Sequence, residues 1–166
     1  AIRRGALNND NGLSNSSVTC IYQDSSQLMW FGTWDGLNVY NGSGFRTYKF
    51  EPDNPNTISN NVIRNIVEEA AGIVWVATDY GINRIDTRRD RIDRFYPGYE
   101  QSGPAGERVF SVAASPDGEV FCAATGWGIA RYDARTQRLA AFNIPHFNSS
   151  EIRGVYAPAP NTLLLH

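Results

Sequence analysis

Short apolar runs alternate with polar turns along this chain, and the alternation itself repeats. From Ser17 to Gln23 the pattern sets Val18, Cys20 and Tyr22 on one face and Thr19, Ile21 and Gln23 on the other. That is the period of two expected of a half-buried strand. A polar turn, Asp24-Ser25-Ser26-Gln27, leads to a second run, Leu28 to Thr33. Trp34-Asp35-Gly36 turns into Leu37 to Tyr40, and Asn41-Gly42-Ser43-Gly44 turns into Phe45 to Phe50. Runs of β-branched and aromatic residues separated by Gly, Asn, Asp and Ser predict four strands joined as hairpins.

The unit then begins again. Trp30, Thr33, Gly36 and Asn38 recur as Trp75, Thr78, Gly81 and Asn83; Ser14-Asn15 recurs as Ser59-Asn60, Arg46 as Arg91 and Phe50 as Phe95. A third copy carries Phe121 in place of the tryptophan, with Gly128, Arg138 and Phe142 in register and one residue added near Gly126. A fourth begins at Ile152 to Tyr156 and reaches Leu163-Leu164-Leu165. A period of about 45 residues built of short strands predicts one propeller blade per repeat. The fold expected is all-β: a partial β-propeller of about three and a half four-stranded blades, one unit over residues 1–166. Blades are expected over residues 14–50, 59–96, 107–142 and, incomplete, 152–166, with proline-containing crossing loops between them.

Residues repeated in every blade serve what every blade needs. Trp30, Trp75 and Phe121 are large enough to fill the space between adjacent twisted sheets. Gly36, Gly81 and Gly128 stand where a tight turn asks for positive φ, and Thr33, Thr78 and Thr125 can hydrogen-bond that turn. Candidates for function therefore lie where the copies differ. The loops joining second to third strands vary most: Trp34-Asp35, Asp79-Tyr80 and, in the third copy, Trp127. Aromatic rings beside carboxylates on one rim suit a ligand with apolar ring faces and hydroxyl groups, such as an oligosaccharide.

Composition narrows the classes. The chain is 42% hydrophobic and 19% charged with a formal net charge of −2, which gives no electrostatic footprint for nucleic acid or an anionic membrane. The arginines Arg84, Arg88, Arg89, Arg91 and Arg94 are interleaved with Asp86, Asp90 and Asp93 and read as a solvated strand edge. No apolar run reaches the roughly 18 residues of a spanning helix, and the opening Ala-Ile-Arg-Arg has no signal-peptide core. Cys20 and Cys122 fall in blades two apart and are expected as buried free thiols. The two histidines, His146 and His166, have no partner at metal-ligand or triad spacing. Glu68 and Glu69 are adjacent on a strand and so point to opposite faces. No catalytic residue, metal site or cofactor is expected.

The string from Gly12-Leu13-Ser14-Asn15 through Trp30-Phe31-Gly32-Thr33 to Gly36-Leu37-Asn38-Val39-Tyr40 resembles the two-component regulator propeller repeat. The second copy, Ile73 to Asp86, fits as well, and the third, Val120 to Asp133, more loosely. The resemblance implies an N-terminal part of the periplasmic sensor region of a hybrid two-component system, whose parent receptor carries a histidine kinase. It implies sensing of polysaccharide-derived glycans, with no catalysis by this segment. A protein-interaction or dimerisation scaffold is the alternative, and a propeller lyase or glycosidase a more distant one. Partners expected are an oligosaccharide, the remaining blades of a receptor, and a second copy of the chain, because an open array leaves an apolar blade face at each end.

Overall fold

The structure, a computed structural model, describes residues 12–97, 110–124, 128–146 and 152–166. Among these residues every regular element is a strand. The first sheet holds β1 (Val18–Gln23), β2 (Met29–Thr33), β3 (Gly36–Tyr40) and β4 (Phe45–Tyr48). The second holds β5 (Ile63–Ala70), β6 (Ile73–Thr78), β7 (Ile82–Asp86) and β8 (Arg91–Phe95). The third holds β9 (Phe110–Ala114), β10 (Val120–Ala124), β11 (Gly128–Asp133) and β12 (Arg138–Ala141). A final hairpin pairs β13 (Val155–Ala159) with β14 (Thr162–Leu165). Each sheet is an antiparallel meander with strands in chain order, and the first strands β1, β5, β9 and β13 are successive neighbours. Four sheets stacked about their first strands make an open propeller arc.

The cores lie between sheets. Trp30, Leu37 and Tyr48 of the first blade bury against Ile63, Ile66, Val74, Val76, Ile85 and Ile92 of the second. Trp75, Ala77 and Ile82 meet Val112, Val120, Cys122, Ala124 and Ala130 of the third. Phe121 of the third lies against Ile152, Val155 and Ala157. Trp30 and Trp75 are essentially inaccessible, and burying a large aromatic side chain contributes about 2–3 kcal/mol. The close approach of first strands leaves little room on β2: a Cβ on Gly32 would stand 2.6 Å from Ile63. The corresponding residues in the next blades are Ala77 and Ala123, both buried.

Polar bonds sew the seams. Thr19 donates its hydroxyl to the Ile63 carbonyl at 2.6 Å, the Asn65 side-chain oxygen accepts from the Val112 amide at 3.1 Å, and the Ser111 hydroxyl accepts from the Val155 amide at 3.3 Å. The crossing loop after β4 is also tied down. Asn56 accepts from the Ile92 amide and donates to the Asp90 carbonyl, covering the outer edge of β8 as a strand would. Arg94 donates to the carbonyls of Thr57 and Asn54.

Three local expectations are corrected. Thr19 does not share a face with Ile21, because a bulge between Val18 and Cys20 shifts the register and turns Thr19 toward the second blade. The run from Phe45 pairs only as far as Tyr48. The arginine-rich segment is not uniformly solvated: Arg84 is largely buried against Glu69, and Arg94 is spent on the crossing loop.

Candidate functional site

The rim positions are built by the turn that the repeat encodes. The Thr33 hydroxyl donates to the Gly36 carbonyl at 2.8 Å and accepts from the Asp35 amide at 3.0 Å. Thr78 does the same with Gly81 at 2.8 Å and Tyr80 at 3.1 Å. Gly36 and Gly81 close these turns at φ of 119° and 94°, a region costly to any residue with a Cβ. The two central residues of each turn are thereby held out of the sheet with distinct directions. The first is tied inward: the Trp34 amide donates to the Ser17 carbonyl and the Asp79 amide to the Val62 carbonyl. The second meets the segment after the outer strand: Asp35 pairs with Lys49 at 3.0 Å, and the Tyr80 ring lies 5.2 Å from that of Tyr96.

Of the expected rim residues, the fold joins Trp34 and Asp79 through a residue that the sequence did not single out. The Arg64 guanidinium sits 4.8 Å over the Trp34 ring. It grips Asp79 through two nitrogens, Nε to Oδ1 and Nη2 to Oδ2 at 3.1 Å. An aromatic face from blade one, a cation from β5 and a carboxylate from the blade-two rim thus form one chain across the seam. Trp34 remains 50% exposed, so an aromatic surface with a charged edge faces solvent. Asp35 is paired with Lys49 and the Tyr80 ring meets that of Tyr96, and Trp127 lies outside the described residues. The sequence does hold a signal for Arg64: the position one repeat before is Thr19, a small hydroxyl residue that bonds across its seam.

Glu69 accepts from the Trp75 indole N–H at 3.0 Å and from Arg84, and Glu68 accepts from the Ser25 amide at 2.8 Å. Burial pushes the Cys20 thiol up, and the wholly enclosed Cys122 thiol up to about 12, so neither is thiolate near neutrality. Among the described residues no group of three or more His, Cys, Asp or Glu is placed to hold a metal ion.

The profile of the two-component regulator propeller family matches residues 12–35, the segment from the incoming loop to the first rim turn. In this segment the chain is similar to the two-component regulator propeller repeat. A histidine kinase, P4, of Formosa agariphila is 46% identical over 43 residues, which are 26% of this chain and 3% of that protein. The extracellular domain of the B. thetaiotaomicron hybrid two-component system BT3049 superposes with a TM-score of 0.70 at 22% identity, over 90% of this chain and 22% of the other. That of BT4673 from the same organism gives 0.72 at 17% identity, over 96% and 21%. The WD40 propeller of Doa1 gives 0.63 at 12% identity, over 91% and 48%. At these identities the superpositions establish the propeller architecture. The chain spans about a fifth of the two-component structures that it matches.

Proposed function

We propose that this chain is a sensor segment of the extracytoplasmic, periplasmic part of a hybrid two-component receptor, binding polysaccharide-derived glycans without catalysis of its own. The observation that carries the reading is the regulator propeller repeat in blade one, joined to a rim that presents a half-exposed Trp34 beside the Arg64–Asp79 pair. A pyranose ring can lay its C–H face on the indole while its hydroxyls exchange hydrogen bonds with the charged edge. Signalling would then require that the ligand favour one receptor pose over another, since only differential affinity shifts such an equilibrium. Isothermal titration with oligosaccharide panels tests the rim. Saturable binding lost at least tenfold in Trp34→Ala and Asp79→Ala supports it, whereas binding indifferent to both removes the rim from the reading.

A second reading, association with another copy of the chain, is favoured by exposed apolar side chains at both ends of the arc. Cys20 and Tyr22 of β1 pack on blade two, while Ile21 between them is 58% exposed. At the other end Val155, Ala157, Leu163 and Leu165 pack on blade three, while the cross-strand pair Tyr156 and Leu164 is 60% and 55% exposed. Such faces are covered in propellers by adjoining blades, and two arcs meeting about a two-fold axis would cover them in this chain.

A further inference from the structure

The two inner seams are built from the same repeat yet are not equally filled. In the seam between blades two and three, Arg84 occupies the outer half. Its guanidinium donates to both oxygens of Glu69, at 3.2 and 3.0 Å, and lies 5.4 Å over the Tyr132 ring. In the seam between blades one and two, the same three positions hold Val39, Asp24 and Ile85. Each is smaller than its counterpart. Asp24 is turned inward to the Trp30 indole at 2.9 Å and Ile85 is buried in the core, so neither fills the space that Arg84 takes in the next seam.

What remains is a cleft of about 400 Å³ lined by Leu28, Trp30, Val39, Phe45, Arg46 and Tyr48, with Thr87 on the opposite blade. Trp30 and Tyr48, stacked at 6.0 Å and 23°, are buried beneath it, and the half-buried Phe45, 4.8 Å from Tyr40, is the aromatic ring at its side. Arg46, over the Tyr48 ring at 4.7 Å, pairs with Asp90 across the seam at 2.5 Å. Both members of that pair are more than half exposed. An exposed ion pair of this kind contributes little to stability and is no barrier to access.

We propose that this cleft is a binding site for a small neutral aromatic molecule. Its volume lies within the range of roughly 300–1,000 Å³ found for small-molecule pockets, which are apolar with a few polar groups at the edge. The Phe45 ring beside the apolar side chains of Leu28 and Val39 favours a flat ring, and the guanidinium of Arg46 offers a cation to its face. Among the described residues Arg46 is the one charged side chain in the lining, and it already faces Asp90, so the mouth is electrically balanced and favours a neutral molecule.

Saturation-transfer NMR and calorimetric titration of the intact chain with indole, against cyclohexanol as a non-aromatic control, test the site. Saturable, one-to-one binding of indole that is at least tenfold stronger than any of cyclohexanol is expected. Val39→Arg restores the residue that fills the next seam and should weaken indole at least tenfold. Gly44→Phe is a second plug: Gly44 borders the cleft and has open space where a Cβ would stand. It should have the same effect without touching the core. Absence of saturable indole binding overturns the site. Equal binding of cyclohexanol overturns the aromatic class, and wild-type affinity in a folded Gly44→Phe chain overturns the location.

Discussion

The indole N–H of Trp30 donates to the Asp24 carboxylate at 2.9 Å, in a seam where both residues are buried. Asp24 also accepts from the amides of Ser26 and Leu28, so one side chain closes the β1–β2 turn and satisfies the tryptophan that fills the seam. Glu69 and Trp75 repeat the bond at 3.0 Å. In the third blade Phe121 has no N–H to satisfy, and Ser115 stands where the acid would be, its hydroxyl accepting from the Glu119 amide at 3.1 Å. The pair changes together because a buried indole donor without an acceptor is costly. Asp24→Ala should therefore destabilise the chain by about 2–3 kcal/mol. Urea unfolding of Asp24→Ala, Trp30→Phe and the double variant should show coupling of roughly 1–2 kcal/mol, and strict additivity would contradict the account.

Asn83 and Asn38 invite a ranking. Asn83 accepts from the Ser59 amide at 2.9 Å and donates to the Ser59 hydroxyl at 3.0 Å, with Thr78 3.2 Å from that hydroxyl. Asn38 repeats this with Ser14 at 3.2 and 2.9 Å, but Ser59 is buried and Ser14 is not. Asn83→Ala strands polar groups away from water and should cost about 2–4 kcal/mol, Asn38→Ala roughly 1–2. Denaturant midpoints of the two variants check the order, and a larger loss at Asn38 would reverse the argument.

The Cys122 thiol titrates at about 12 in the fold and near 8.5 in an unfolded chain. Its folded value is raised, so the stabilisation is fully present below the unfolded value and is lost as pH rises toward the folded one. Between roughly pH 9 and 12 the native state holds the proton that the unfolded state releases, and stability falls by up to about 1.4 kcal/mol per pH unit. Cys122→Ala lacks this term. Its stability deficit relative to the parent should shrink through that window, as read from urea unfolding at stepped pH.

Arg94 holds the crossing loop by donating to Thr57 and Asn54 carbonyls at 2.5 and 2.8 Å, with its guanidinium 5.2 Å over Phe50. Arg94→Ala should speed amide exchange across residues 51–57 and at Ile92, whose amide is bonded to Asn56 at 2.8 Å. Exchange in β10, in the third blade, should not change. A uniform acceleration over all blades would mean that the loop is part of the global core rather than a local cover.

Exposed Ile21, Tyr156 and Leu164 define the association test. Light scattering at micromolar concentration should show a dimer that Ile21→Lys or Leu164→Lys converts to monomer. A strictly monomeric parent chain would end that reading.

The strand runs, the glycine turns and the aromatic seam residues were legible because each obeys a rule written along the chain: a period of two inside a strand, a period of about 45 between blades. Arg64 was not legible as a site residue, since its meaning depends on Trp34 and Asp79, which are brought to it from two different turns. The face of Thr19 was misplaced because a bulge is a response to the neighbouring blade, invisible to alternation alone. Trp34 and Asp79 were legible as departures from the repeat, but their connection was not.

By itself, then, the sequence determined the blade: which residues pair, where the chain turns, and which large side chain each sheet offers its neighbour. Those are local matters of backbone preference and of surface that must leave water. The seams were decided only in tertiary structure. Arg84 fills one of them while Val39 leaves another open, and a space between two sheets depends on side chains from both, which no single stretch of sequence contains.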